Sequence, residues 1–446
     1  MKKLLKYLIF VQFSVIISCS NSNEIEHIVD TNTNLTELEG ENNKPNILLI
    51  IADDMGLDAT PGYNIGSQKP IMPTLENIIK SGVKFTNVWS NPTCTPTRAT
   101  ILTGKYGFRT NVVKVDDVLS TSETSIQKYI NQNLENKYSN AVIGKWHLSK
   151  DSNHPSQMEI DYYAGSLIGS LKDYNNWSLN INGETTNSTD YNTTKYTDLA
   201  INWVKDQTDP WFLWLAYNAP HTPFHLPPNE LHSKGFLPTD EASIKANPMP
   251  YYLAMLEAMD TEIGRLLGSM TSEEKENTVI IFIGDNGTPG AVAQEYNSKR
   301  AKGSLYEGGI NVPMIISGKN VARINDTEDA LINLTDLYAT IANLAGINVS
   351  NINDSFSFHE LLSTTSEGKR DYIYSEMEGN SNLLSKTVRN KTHKYILFDD
   401  GSESLFNLNE KPFETKDLLR VNNLPLNESD SKIKDELVIK LAEINP

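Results

Sequence analysis

The side chains able to do chemistry fall at a few places along the sequence. Cys94 opens Cys94-Thr95-Pro96-Thr97-Arg98, and Leu102-Thr103-Gly104 follows. A chain with two Cys, 20 Pro and 39 basic residues meets Cys-X-Pro-X-Arg by chance in under about one case in a hundred. The pattern is therefore more than a structural cysteine beside a turn. Asp53-Asp54 and Asp285-Asn286 put oxygen-bearing side chains in adjacent pairs. One such pair after a strand is commonly a helix cap; two pairs argue for a joint task. Lys145 and His147 share Gly144-Lys145-Trp146-His147-Leu148, His221 lies in Ala219-Pro220-His221-Thr222-Pro223, and Lys302 lies in Ala301-Lys302-Gly303-Ser304-Leu305-Tyr306-Glu307-Gly308-Gly309. Imidazole exchanges protons near neutral pH. His221 and His225 are four apart, a helical zinc spacing, but Pro220, Pro223, Pro227 and Pro228 forbid a regular helix there.

Elements must bring these distant groups together. Asn46-Ile47-Leu48-Leu49-Ile50-Ile51-Ala52 is a continuous apolar run, as in a strand buried on both faces. Similar runs are Ala141–Gly144, Trp211–Ala216 and Thr278–Ile283, with Pro313–Ser317 a weaker fifth. Helical stretches lie between them at Met72–Ser81, Thr124–Asn133 and Tyr251–Met270. The alternation predicts an α/β fold with a large, mainly parallel central sheet flanked by helices. Four strands stop at Asp53-Asp54, Lys145-Trp146-His147, His221 and Asp285-Asn286. In open α/β sheets the site lies beyond the carboxyl ends of the strands, so these four endings predict one site. A helix-like stretch, Leu331–Leu344, closes a main domain spanning 45–346. Residues 347–446 form a second unit: a loop-rich connection, then short segments at Asp371–Met377, Lys386–Arg389, His393–Phe398 and Ser404–Asn407 that predict a small antiparallel sheet, and a terminal helix from Lys432 to Ile444.

The 446 residues, 39% hydrophobic and 21% charged, exclude a disordered chain, a coiled coil and a disulfide-stapled miniprotein. The net charge of −17 excludes bulk-charge binding of nucleic acid. Residues 1–18 read as a secretory signal, with Lys2, Lys3 and Lys6 before an apolar run too short to span a bilayer. Ile16-Ile17-Ser18-Cys19 resembles the lipobox of bacterial lipoproteins, in which the cysteine is acylated after cleavage. This predicts an exported bacterial lipoprotein held at the outer membrane, on its periplasmic face or at the cell surface. Residues 19–44 are polar and read as a flexible tether. Loss of the three leader lysines takes the mature charge from −17 to −20.

The Cys94 segment resembles the signature of type I sulfatases, Cys-X-Pro-X-Arg with a Leu-Thr-Gly segment, within the alkaline-phosphatase-like superfamily. The resemblance runs from about Pro45 to Pro313 and thins after Gly346. It implies that Cys94 is oxidised to formylglycine, by a formylglycine-generating enzyme or an anaerobic sulfatase-maturing enzyme. One hydroxyl of the hydrated aldehyde attacks sulfur; the other then loses a proton and expels sulfate. Asp53, Asp54, Asp285 and Asn286, with Cys94 itself, match the family's metal ligands. Their hard oxygens suit Ca²⁺, with Mg²⁺ the alternative, rather than Zn²⁺. By the same resemblance Arg98 stabilises the modified residue and the anionic substrate, and Lys145 and Lys302 bind sulfate oxygens. His147 takes the second hydroxyl's proton, and His221 protonates the leaving alcohol, a role Lys302 could share. Arg109, His154 and His225 are candidates for lining the sugar pocket.

The expected activity is hydrolysis of sulfate monoesters on a sulfated polysaccharide or its oligosaccharides, an algal glycan such as ulvan ahead of host glycosaminoglycans. Two other readings compete. Phosphatases and phosphodiesterases of the superfamily usually use Ser or Thr with two zinc ions held partly by His; Cys94 and the oxygen-donor pairs disfavour that. A non-catalytic, glycan-capturing surface lipoprotein has no need of the intact polar set.

Overall fold

The computed structural model describes residues 44–134 and 138–446; the leader, Cys19 and the tether lie outside the described residues. Ten strands make one mixed sheet. They are β1 (Asn46–Ala52), β2 (Gly82–Trp89), β3 (Ser139–Gly144), β4 (Tyr162–Gly165), β5 (Trp177–Ile181), β6 (Glu184–Ser188), β7 (Trp211–Ala216), β8 (Thr278–Gly284), β9 (Met314–Gly318) and β10 (Asp326–Asn333). Their spatial order is β10-β2-β9-β8-β1-β7-β3-β4-β5-β6. The central block β8-β1-β7-β3-β4 is parallel. By contrast β9, β5 and β6 each run antiparallel to their neighbours.

The apolar run of β1 explains its place at the centre. Ile47, Leu49 and Ile51 join the core on one face, and Leu48, Ile50 and Ala52 join the core on the other. Helices cover both faces. Cys94–Thr103, Ile126–Asn133 and Asp336–Leu344 supply Ile101, Ile130 and Ile341 to one side. Pro73–Lys80, Asn192–Lys205 and Met249–Ser269 supply Leu75, Ala200 and Leu256 to the other. The expected architecture is thus present, with two corrections. Leu331–Asn333 belongs to β10, which pairs in parallel with β2, and the helix begins only at Asp336. The helix Asn192–Lys205 and strands β2, β4, β5 and β6 lacked a clear apolar period in the sequence. Strand β2, for example, reads Gly-Val-Lys-Phe-Thr-Asn-Val-Trp and is only partly buried at Lys84, Thr86 and Asn87.

The C-terminal segments form a two-strand ladder, β11 (Asn351–Ile352) and β12 (Ser355–Phe356), and an antiparallel meander, β13 (Ile373–Glu378), β14 (Leu384–Arg389), β15 (His393–Leu397) and β16 (Glu403–Asn407). The terminal helix Glu428–Ile444 buries Leu437 and Leu441 against Val388, Tyr395 and Leu405. This sheet belongs to the same compact unit as the large one, residues 44–446. The Asn333 side chain holds Tyr374 by both backbone groups (2.7 and 3.0 Å), and Ser375 Oγ donates to the Ser90 carbonyl (2.8 Å). No helix among the described residues is long and apolar enough to cross a membrane.

Candidate active site

Four strand ends meet beyond the carboxyl edge of the central block. After β1 the chain turns sharply, with Asp54 in the left-handed region (φ 75°). The turn is held by Asp53 N donating to Ala219 O (3.1 Å) and Asp54 N donating to Asp285 Oδ1 (3.1 Å). Asp285 N returns to Ala52 O at 3.1 Å, so the β1 and β8 ends are laced together. At the end of β3, Gly144 takes φ 114°, and a β-carbon there would lie 1.9 Å from Ala216 O. Only glycine lets this strand turn so close to β7. Lys145 N then bonds Ala216 O at 2.8 Å, which points the lysine side chain inward.

Cys94 begins its helix behind Thr93 and is 2% exposed. Arg98 lies one turn on, fully buried. Its Nη2 donates to Asp285 Oδ2 (2.9 Å) and its Nη1 to the Lys145 carbonyl (2.8 Å), tying the helix to the β3 and β8 ends. Lys145 Nζ contacts Asp53 Oδ2 at 2.5 Å, and Lys302 Nζ contacts Asp54 Oδ2 at 2.6 Å. Asp53, Asp54, Asp285, Arg98 and Lys145 are all buried, whereas the Lys302 side chain is 22% exposed and that of His221 14%. The cleft therefore opens past Lys302 and His221. His221 Nδ1 faces the Thr222 carbonyl at 2.8 Å, so it carries the proton and leaves Nε2 facing the cleft, 3.8 Å from Asp54 Oδ2.

His147 sits at the opposite wall. Its Nδ1 is 3.3 Å from Cys94 Sγ, and its Nε2 is 3.0 Å from Asp116 Oδ1. Burial, with Lys145 and Arg98 close by, pushes its pKa down to about 2 against the pull of Asp116, so the ring is neutral. Burial also pushes the Cys94 thiol up, with Lys145 opposing. Lys302 is raised: burial works against its charge, and Asp54 and Asp53 outweigh that.

The donor set fits a hard divalent cation. Asp53 Oδ1 and Asn286 Oδ1 are buried without a hydrogen-bond partner, which is costly unless something else satisfies them. Asn286 Nδ2 meanwhile donates to Asp54 Oδ1 (2.6 Å), so Asn286 already sits among the carboxylates. Asp53, Asp54 and His221 each offer a ligand atom within 4.8 Å of the others. Carboxylate and amide oxygens suit Ca²⁺ or Mg²⁺. Three carboxylates here face three cationic side chains, so a divalent ion would make the cleft net positive.

The structure thus gathers Cys94, Arg98, Lys145, His147, His221, Lys302, Asp53, Asp54, Asp285 and Asn286. It does not gather the three proposed sugar contacts. His154 is buried, with Trp146 Nε1 donating to its Nδ1 (3.1 Å) and its Nε2 meeting Leu119 O (2.8 Å); both nitrogens are used, and the residue is structural. Arg109 pairs with Asp354 at 2.9 Å over the Phe108 ring, beyond the far end of the Cys94 helix. His225 meets Tyr191 OH (3.1 Å) and Pro223 O (2.9 Å) and packs on Tyr174, whose hydroxyl holds the His221 carbonyl (2.7 Å). It supports the His221 loop rather than facing the cleft. The sequence reading missed Asp116, Thr95 and Gly169, which surround His147. Nothing in the polar stretch around Asp116 sets it apart from a surface acid.

Comparisons with known proteins agree with this geometry. The profile of the Sulfatase family matches residues 45–347, more than half of the chain. An uncharacterized sulfatase of Escherichia coli (strain K12), YdeN, is 28% identical over 364 residues, covering 69% of this chain. The chain spans 63% of that relative's length. An ulvan-active sulfatase of Formosa agariphila is 26% identical over 438 residues, 92% of this chain and 83% of its own. The crystal structure of Ps i-CgsB superposes with a TM-score of 0.74 at 26% identity, over 90% of this chain and 92% of that one. With its strand-end cluster and the match across residues 45–347, this chain belongs to the sulfatase family.

Proposed function

We propose that the chain hydrolyses sulfate monoesters on a sulfated carbohydrate, through a formylglycine made from Cys94 and with Ca²⁺ as its metal. The observation that carries this reading is the single cleft in which Cys94, two lysines, two histidines and an unsatisfied oxygen-donor set converge. As formylglycine, residue 94 supplies a hydrated aldehyde with a nucleophilic hydroxyl and a second hydroxyl to be deprotonated. Asp53, Asp54, Asp285 and Asn286, with residue 94, would hold the Ca²⁺, which supplies charge neutralisation to a sulfate oxygen.

The chain's own residues do the rest. Lys145 and Lys302 face the cleft from two sides and are placed to hold sulfate oxygens as hydrogen-bonding cations. Arg98 fixes residue 94 against the β3 and β8 ends and adds buried positive charge. His147 is neutral, with Nδ1 turned to residue 94, and is placed to accept a proton there. His221 stands on the open side of the cleft, where a departing alcohol must pass; with its Nδ1–H held by the Thr222 carbonyl, it can serve there as an acid only in the form that carries a second proton on Nε2.

Support for a glycan substrate comes from the relative named as an ulvan-active sulfatase and from Ps i-CgsB, whose structure is also known in complex with k-i-k-neocarrahexaose. Within this reading the substrate is an algal polysaccharide such as ulvan, or its oligosaccharides. The partner needed for maturation is a formylglycine-generating or anaerobic sulfatase-maturing enzyme. Cys19 would carry the lipid that anchors the protein at the outer membrane.

The test is release of sulfate from desalted algal oligosaccharides by protein co-expressed with a maturing enzyme, alongside sulfated and phosphorylated nitrophenyl esters. Cys94→Ala is expected to lose all measurable turnover. A chelator is expected to lower both turnover and melting temperature, with Ca²⁺ restoring both. Strong phosphatase activity without sulfatase activity would overturn the reading.

A further inference from the structure

The structure assigns Asp116 as the positioning residue for His147, an assignment that rests on the sulfatase reading above. Asp116 lies in the loop between the Cys94 helix and β3, well separated in sequence from every group of the strand-end cluster. Its Oδ1 meets His147 Nε2 at 3.0 Å, and its own backbone N–H donates to Thr95 Oγ1 at 3.2 Å. Thr95 Oγ1 in turn stands 3.2 and 3.3 Å from the two ring nitrogens. The carboxylate and the threonine next to the nucleophile thus hold one ring. Both Asp116 (φ 67°) and His147 (φ 57°) occupy the left-handed region that non-glycine residues avoid. Such strain persists only where surrounding contacts over-determine it.

The consequence is a choice of tautomer. An ionised carboxylate only accepts hydrogen bonds. Facing it, His147 must carry its proton on Nε2, which leaves a bare lone pair on Nδ1, the nitrogen turned to residue 94 at 3.3 Å. Without Asp116 the two tautomers compete, and the one with Nδ1–H cannot accept a proton from residue 94. When Nδ1 takes that proton, its O–H bond breaks and an N–H bond forms. The imidazolium keeps its Nε2–H on the carboxylate, and the proton then passes to water. Asp116 is never itself protonated. Lys150 Nζ, 3.1 Å from Asp116 Oδ2, pairs only the other carboxylate oxygen, from an exposed position.

The test uses Asp116→Asn, which keeps shape but lets an amide N–H face Nε2. In protein labelled with ¹⁵N-histidine and carrying unmodified Cys94, His147 is expected to show a protonated Nε2 and a bare Nδ1. Asp116→Asn is expected to shift it toward Nδ1–H. In matured protein kcat is expected to fall about 10- to 100-fold with KM within about threefold. That is less than the ~10⁴-fold of a fully buried Asp-to-Asn exchange in a serine-protease triad, because water reaches Asp116. Lys150→Met, which leaves the His147 contact in place, is expected to keep the Nε2–H tautomer. An unchanged tautomer in Asp116→Asn, or a rise in KM alone, would overturn the assignment. A wild type that releases no sulfate, yet loses its Nε2–H tautomer on Asp116→Asn, would instead overturn the sulfatase reading and uphold the role of Asp116.

Discussion

At the scale of single residues, the site depends on small side chains as much as on charged ones. Gly169 is the clearest case. A β-carbon there would lie 2.1 Å from His147 Cε1 and 2.2 Å from Nε2. Glycine is needed for the space, since one face of the imidazole rests on its backbone. Gly169→Ala is therefore expected to displace the ring while leaving the fold intact. Overpacking by one methyl group costs about 1–3 kcal/mol of stability when the site cannot shift; here the ring can move instead, so the expected effect is a fall in kcat with a small change in melting temperature. Steady-state kinetics beside a melting curve checks this; wild-type kcat would show that the ring is not held where the structure places it. The same reasoning explains why Asp116 and Gly169 escaped the sequence reading. Neither has a distinctive neighbour in the chain, and their meaning comes entirely from His147, 31 and 22 positions away. Cys94 and Arg98 were legible because a helical turn of four residues carries both, so spacing in sequence is already spacing in space.

At the scale of elements, the small C-terminal sheet takes part in the site. Lys394 on β15 is fully buried between Glu307 (3.2 Å) and Glu414 (2.9 Å), over the Trp89 ring. Arg389 on β14 reaches the same Glu307 at 3.4 Å. Glu307 follows the loop that carries Lys302, so the meander clamps that loop through buried charge. Removing one partner from such a network costs about 3–5 kcal/mol, since a carboxylate is left buried and unpaired. Lys394→Met is accordingly expected to lower stability by that amount in urea titrations. It should also lower kcat more than roughly tenfold below its melting temperature. Full activity in a destabilised variant would show that the clamp supports the fold but not Lys302.

A second element-scale prediction concerns Glu376 on β13. It is buried, accepts from Tyr374 OH (2.7 Å) and Phe108 N (2.8 Å), and burial raises its pKa to about 6. The unfolded value is 4.5. The folded chain therefore holds this proton longer, and the contribution to stability is full below about pH 4.5 and lost as pH rises through about 6. The shift corresponds to about 2 kcal/mol. Relative to wild type, Glu376→Gln is expected to lose this slope, read as the difference in urea midpoints at pH 4.5 and 7.

At the scale of the whole molecule, a chain of net charge −17 would act on an anionic polymer. Long-range repulsion opposes encounter, whereas the attraction is confined to Arg98, Lys145, Lys302 and the expected cation. Salt shortens the reach of the repulsion to about 8 Å at physiological ionic strength and further in seawater. It does little to buried pairs. Activity on sulfated oligosaccharides is thus expected to hold or rise from low salt to marine salt. A steep fall would show that exposed cations dominate binding.

The division between sequence and tertiary structure follows from distance. The α/β alternation, the buried central strands, the polar strand endings and the Cys94–Arg98 spacing were legible because each rests on local patterns, whereas Lys302 was singled out by the family resemblance alone. Continuous apolar runs, abrupt polar endings and a four-residue helical spacing all act within a few positions. The family resemblance joined these pieces. Tertiary structure alone decided which candidates were idle. His154 has the composition of a site residue, yet Trp146 and Leu119 consume both its nitrogens. Tertiary structure also placed Asp116 and Gly169 around His147, set β9 antiparallel within the sheet, and clamped the Lys302 loop with residues nearly a hundred positions onward. These outcomes depend on close contacts between segments far apart in the chain, where direction and distance of side chains decide the chemistry and sequence order carries no record of either.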